Sequence, residues 1–331
     1  MNKIYHKLCL ILLMLGAVSG CGSETSKPHS ISRETTPAPT SQQNAAGFPV
    51  IVKDDRGVEV DIPQKPLRII SLLPSHTEIL FAIGAGKQMV GCTNFCNYPA
   101  ETEQLKKIAL SNPGSVSLET LVEMKPDLIF LGGDYQRLLA DQLSKLKVPV
   151  LSFESQSVAD IAHSIRGISR ATGHVEAGDE LIHKLNQEIK ALQARVKPYQ
   201  KQGGPRVFYQ VWDQPLMTAG PASFIGELIK LIGGENVFAD VEIAYPQVSE
   251  ETLILRNPDV ILLPHLQDGP TDPAASISRL SERPGWKEMS AVKNKRIYII
   301  EDDLISRPGP RVVQGLQKIA QALYPEAFPK Q

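Results

Sequence analysis

Residues 117–131 read SLETLVEMKPDLIFL and residues 249–263 read SEETLILRNPDVILL; aligned without a gap they share Ser, Glu, Thr, Leu, Pro, Asp, Ile and a final Leu, eight identities at one offset. A repeat of this kind requires that two halves of the chain share one building plan. Each copy reads as a short helix stopped by a proline and followed by a β-rich apolar run. Ser117 and Ser249 suit the N-cap, and Glu119 and Glu251 fall in the positive first turn. The segments before each copy also match in kind. Leu67–Leu72 and Arg206–Val211 read as buried strands. Ser75-His76-Thr77-Glu78 reads as a capping box opening a helix at Ile79–Ile83, with Gly84 and Gly86 beyond it. Ser223–Ile232 reads as the corresponding helix, closed by Gly233 and Gly234. Alternating strands and helices predict an α/β fold of two lobes, each a mostly parallel sheet flanked by helices.

Between the halves, residues 158–170 and 175–197 read as helices. In the second, Ala177, Leu181, Leu185, Ile189, Leu192 and Val196 recur at intervals of three and four before Pro198. Such a helix would run for about 35 Å, a rigid strut joining the lobes and opposing wide hinge closure. The expected organisation is a first lobe at 48–157, connecting helices at 158–198 and a second lobe at 199–331. The 331 residues suffice for this, since a domain takes about 100–200.

The residues ahead of the first lobe read as an address. Residues 1–7 carry Lys3 and Lys7, residues 8–18 are apolar, and Val18-Ser19-Gly20-Cys21 ends the run. That is the layout of a signal peptide at 1–20, and its apolar stretch of about 16 Å is too short to span a bilayer. Small residues before a cysteine resemble the lipobox of bacterial lipoproteins, in which Cys21 would carry the lipid. Residues 22–47, rich in Ser, Thr, Pro, Gln, Asn and Ala, read as a tether with too little apolar surface to fold. Loss of Lys3 and Lys7 takes the net charge from −1 to −3, so charge supports neither nucleic-acid binding nor adhesion to anionic lipid. Lipid chains would hold the protein to the membrane instead.

The lipobox, LRIISLLPSHTEILFAIGAG at 67–86, CTNFCNYP at 92–99, the SxETL…PD repeat, YPQVSEETL at 245–253 and SRPGPR at 306–311 together resemble substrate-binding proteins of ABC importers for cobalamin, haem and ferric siderophores. The likeness covers about residues 66–325 and is closest to the cobalamin binders. It implies two α/β lobes on a helical backbone, with a ligand in the cleft that is cargo rather than cofactor. It also implies glutamates on the lobe tips, Glu119 and Glu251 here, that dock onto a dimeric permease with its ATPase. The protein would be a periplasmic or cell-surface lipoprotein, monomeric when free.

In open parallel sheets, ligands sit outside the carboxyl ends of the strands. The loops at 73–76, 92–99, 132–136, 211–216 and 303–311 are therefore the candidates. They carry Phe95, Tyr98, Tyr135, Trp212, Arg307 and Arg311: flat rings to cover a planar macrocycle, and guanidinium groups to bond its peripheral amides or carboxylates. Phe95 matches the family position where an aromatic meets the corrin. Asp303, Leu304, Ile305, Ser306 and Arg307 match another contacting stretch. The tryptophans that some cobalamin binders place near 113 and 131 are replaced by Pro113 and Leu131, which leaves haem, with Tyr98 or Tyr135 as axial ligand, and ferric siderophores as alternatives.

His76 suits a structural or exposed role better than metal ligation. Cys92 and Cys96 could meet on a turn but not on an extended strand, leaving a disulfide, free thiols and metal binding open. No histidine-rich loop is present, and GxSxG, HExxH, CxxC and a complete P-loop are all missing from the sequence. Gly84-Ala85-Gly86-Lys87 is followed by Gln88, which cannot hold magnesium as Ser or Thr would. A binding protein without enzymatic activity is expected; a ligand-sensing domain for a membrane signalling partner could use the same cleft.

Overall fold

The computed structural model describes residues 47–110, 116–132, 137–144, 147–200, 203–265 and 273–329. The expected signal peptide at 1–20, Cys21 and the tether up to residue 46 lie outside them. In the first half come β1 (Val50–Lys53), β2 (Glu59–Ile62), β3 (Ile69–Ser71), α1 (Pro74–Ala82), β4 (Met89–Thr93), β5 (Lys106–Ile108), α2 (Leu118–Glu123), β6 (Leu128–Gly132), α3 (Arg137–Ser144) and β7 (Val150–Phe153). Two connecting helices follow, α4 (Val158–Thr172) and α5 (Val175–Val196). The second half holds β8 (Arg206–Trp212), β9 (Met217–Thr218), α6 (Phe224–Leu231), β10 (Glu235–Asn236), α7 (Glu250–Arg256), β11 (Val260–His265), α8 (Pro273–Ser281), α9 (Ser290–Lys293), β12 (Ile297–Glu301), α10 (Asp302–Ile305) and α11 (Val312–Leu323).

The first sheet is all parallel, in the order β5-β4-β3-β6-β7. The second runs β10-β8-β11-β12 in parallel, with the short β9 antiparallel to β8. Each sheet starts in its middle and winds first to one side, then to the other. The loops after β3, β4 and β6, and those after β8 and β11, therefore diverge at a switch point and leave a crevice. The antiparallel β1–β2 hairpin, not anticipated from the sequence, packs on α4.

The repeat has a structural cause. Ser117 and Ser249 each accept a hydrogen bond from the amide three residues on, at 3.3 and 3.1 Å, and so cap α2 and α7. The repeated aspartates tie each copy to the first strand of its own sheet. Asp127 accepts from the amides of Leu67 and Arg68, both at 2.8 Å, and Asp259 accepts from the amide of Arg206 at 3.0 Å. In both halves the first helix ends in a glycine with positive φ, Gly84 and Gly233, a backbone state other residues adopt only with strain.

One expected cap is corrected. Helix α1 begins at Pro74, with Leu73 as an N-cap lacking any side-chain bond, so Ser75 and Glu78 do not form a capping box. Proline at the first position needs no amide partner, and the 75–78 stretch is drawn into the protein: Ser75, His76, Thr77 and Glu78 are all buried.

A single apolar cluster runs from β3 and α1 through α4 and α5 to β8, α6 and α11, so both lobes share one core along the connecting helices. Helix α5, about 33 Å long at 1.5 Å per residue, buries Ile182, Leu185, Ile189, Leu192 and Val196. Separate clusters fill the outer face of each sheet. No helix among the described residues is long and apolar enough to cross a membrane.

Candidate functional site

The loops leaving β4 and β12 meet between the two sheets. Asn97 donates to Asp303 Oδ2 (3.0 Å), and Arg307 donates to Asn97 Oδ1 (2.6 Å), to the Phe95 carbonyl (3.2 Å) and to Asp303 Oδ1 (2.7 Å). Arg311, at the start of α11, forks onto Glu78 of α1 with its Nε and Nη2 at 2.9 and 2.6 Å. The Glu78 side chain, only 2% exposed, also has Arg307 at 3.7 Å. This bidentate pair bolts one lobe to the other across 233 positions of sequence.

Large apolar side chains are exposed on both lobes. Phe95 is 53% and Trp212 54% exposed, and Ile243 and Tyr245, in the loop before α7, are exposed as well. Trp212 pairs with Met217 of β9, which bridges in turn to Gln247, two residues past Tyr245. Tyr245 is also near Asp302; burial and that carboxylate raise its hydroxyl pKa. Burial and Asp302 likewise push the Tyr209 hydroxyl well up, and both hold it in its neutral, hydrogen-bonding form. Ser306 donates to Asp302. The network thus sets two carboxylates, Glu78 and Asp303, against two guanidinium groups, Arg307 and Arg311, while Asp302 is bonded to Ser306.

The expected contact residues therefore divide. Phe95 and Trp212 are exposed at the switch points, and Asp303, Ser306 and Arg307 gather beside Phe95. Leu304 and Ile305 are corrected: both are buried in the core, where α10 packs on α6 and α11, so their side chains are turned away from any ligand. Arg311 is committed to Glu78, with its guanidinium 4.2 Å over the Tyr98 ring. Tyr98 and Arg311 line a separate cavity of about 840 Å³ along α5, with Phe81, Leu185 and Phe328. Tyr135 lies outside the described residues. Tyr245 was missed, although its YPQVSEETL setting marks the approach to the second repeat.

His76 is not exposed. It is buried with its ring edge-on to Phe130 and Phe153, both at 6.2 Å, and burial lowers its pKa to about 4 against the weaker opposing effect of a hydrogen bond to the Phe153 backbone carbonyl. No group of three or more metal-ligating side chains occurs among the described residues. Cys92 and Cys96 stand as buried thiols.

Glu119 of α2 and Glu251 of α7 are both exposed. Each has an uncovered apolar neighbour on its own helix, Val122 three residues on from Glu119 and Leu255, 85% exposed, four residues on from Glu251.

Two parallel sheets flanked by helices and joined by a shared helical backbone define the architecture of a helical-backbone binding protein. Residues 69–304 match the periplasmic binding protein family, and the chain belongs to that family. It is 31% identical over 330 residues to the ABC transporter substrate-binding lipoprotein YvrC of Bacillus subtilis, covering 98% of each chain. The crystal structure of the periplasmic vitamin B12 binding protein BtuF of Vibrio cholerae superposes with a TM-score of 0.67 at 29% identity, over 81% of this chain and all of that one. The periplasmic haem-binding protein RhuT of Roseiflexus superposes with a TM-score of 0.69 at 26% identity, over 78% and 98%.

Proposed function

We propose that the protein captures a corrinoid, cobalamin first among them, outside the cytoplasmic membrane and delivers it to an ABC permease. The observation that carries this choice is the charge balance beneath the cleft. Both guanidinium groups are already engaged by carboxylates, and a third carboxylate, Asp302, is bonded to Ser306, the residue before Arg307. A ligand rich in neutral amides finds donors and acceptors there: Ser306, Asn97 and the carboxylates. One bearing ionised carboxylates, as haem does, would find both of these guanidinium groups already paired. Phe95, Trp212 and Tyr245 supply apolar cover for a large flat ring. The kinship with BtuF supports the same reading.

Glu119 and Glu251, one per lobe at equivalent positions of the repeat, would engage the two subunits of a dimeric permease, with Val122 and Leu255 adding apolar contact. Cys21 would carry the lipid that keeps the protein at the membrane, in keeping with the lipoprotein name of YvrC.

The test is calorimetry of the exported, detergent-extracted protein against cyanocobalamin, haem and a ferric hydroxamate in parallel. Saturable heat with cyanocobalamin is expected. Heat with haem or the hydroxamate alone overturns the assignment.

A further inference from the structure

The chain has four cysteines: Cys9 and Cys21 within its first 21 residues, and Cys92 and Cys96 in the folded part. The last two have only each other as thiol partners among the described residues. Cys92 lies on β4, and Cys96 follows in the loop that carries Phe95 and Asn97. That loop does not continue the strand. The Cys96 amide donates to the Thr93 carbonyl at 3.1 Å, and the Asn94 amide donates to Ile108 of the neighbouring β5 at 3.1 Å, which folds the chain into a turn. The turn brings Cys96 back towards Cys92, so that each thiol acts on the charge state of the other.

Their surroundings are not those of two inert packing residues. The Thr77 and Thr93 hydroxyls each lie 3.2 Å from Cys96 Sγ. Lys107 Nζ is 3.8 Å from Cys92 Sγ and donates to the Cys96 carbonyl at 2.6 Å, so a cation stands over the pair. Apolar burial alone would raise both thiols. Here the Cys92 thiol, the Thr77 and Thr93 hydroxyls stabilise a charge on Cys96 and bring it down to about 6, while Cys92 is pushed up by its neighbour and by burial. One sulfur is thus set up to attack and the other to follow.

We propose that Cys92 and Cys96 are a redox pair that closes to an intramolecular disulfide in the exported protein and thereby fixes the Phe95–Asn97 edge of the cleft. The oxidant is a disulfide, carried by an oxidoreductase or a small thiol. Cys96 thiolate attacks one sulfur of that disulfide, forming a mixed disulfide and expelling the first thiolate. Cys92 then gives its proton to the expelled thiolate and attacks Cys96 Sγ, releasing the second. The proton that Cys96 gave to water on ionising returns to the second thiolate, so the sum is two protein thiols and one disulfide giving one protein disulfide and two thiols, with no other reactant. Because both sulfurs are buried, exchange takes place while the chain folds or when the 93–97 turn opens.

The experiment refolds the full exported chain in a buffer of reduced and oxidised glutathione, quenches with acid, and treats it with maleimide under denaturing conditions before trypsin. The peptide Gln88–Lys106 contains both cysteines. It is expected to take no maleimide until a reductant is added, and to be about 2 Da lighter than its reduced form. Cys92→Ser is expected to hold glutathione on Cys96. Deuterium uptake by residues 93–97 of the native protein should be about fivefold slower in the oxidised than in the reduced form. Direct labelling of both cysteines after oxidative refolding, a glutathione adduct persisting on the unmutated chain, or equal uptake in the two forms would each overturn the proposal. None of these readouts depends on which ligand the cleft takes.

Discussion

Acidification should loosen this fold through one side chain, His76. In the folded protein it takes a proton only near pH 4, against 6.5 for a free histidine, because burial beside Phe130 and Phe153 penalises the imidazolium. The unfolded chain protonates at the ordinary pH, so between about 6.5 and 4 it binds more protons than the folded one. The stabilisation is therefore fully present above 6.5 and is lost as the pH falls through that window. The two limits differ by roughly 3 kcal/mol, each pH unit of separation being worth about 1.36 kcal/mol. Urea unfolding followed at a series of pH values measures it, provided the unmutated protein is compared with His76→Gln. The substitution removes ring packing and lowers stability at every pH, but it also removes the titration. The difference between the two curves should shrink by about 3 kcal/mol on going from pH 7 to 4. Other titrating groups, such as His174, whose pKa burial also lowers, contribute equally to both proteins and cancel. Parallel curves for the two proteins would refute the reasoning.

Arg311→Met should destabilise the protein by about 3 kcal/mol in urea unfolding, because it leaves the buried Glu78 carboxylate with only the more distant Arg307; adding Glu78→Gln should restore most of the loss. Phe95→Ala and Trp212→Ala should each weaken corrinoid binding by roughly 1–3 kcal/mol in calorimetry with little change in melting temperature, since both rings are half exposed in the ligand-free protein. Reversing Glu119 and Glu251 together to Lys should leave ligand affinity unchanged and abolish uptake by cells that depend on the importer; normal uptake would return both acids to their helix-capping role.

The parts legible in the sequence were those set by local chemistry. The serine caps at 117 and 249, the glycines after α1 and α6, and the apolar stripe of α5 each depend on neighbours within a few residues. The repeat announced two halves, yet the reason its aspartates recur was hidden, because their partners at Leu67, Arg68 and Arg206 lie more than fifty residues away. The Ser75–Glu78 stretch carried a local capping signal that a tertiary demand overrode: Glu78 is spent on Arg311 from the other lobe. Leu304 and Ile305 failed as site residues for a similar reason. A contacting stretch carried over whole includes the residues that anchor it, and a four-residue helix at a strand end must bury one face. Sequence singled out Arg307 but could not tell that its charge is already neutralised by Asp303, and that is what bears on the proposed kind of ligand.

The core that threads α4, α5 and α11, and the Glu78–Arg311 fork that crosses the gap, also decide what kind of instrument this protein could become. Binding proteins that clamp shut convert loading into a change of distance between two rims, and optical reporters are commonly attached there. Parting or closing these lobes would disturb a common apolar interior and strip a paired carboxylate, so loading leaves the rims almost where they were. Dyes set on the two lobes would give nearly the same signal empty and full. A reporter made from this scaffold has to read the cleft itself, and the natural emitter is Trp212, whose fluorescence a coloured macrocycle lying against it would quench.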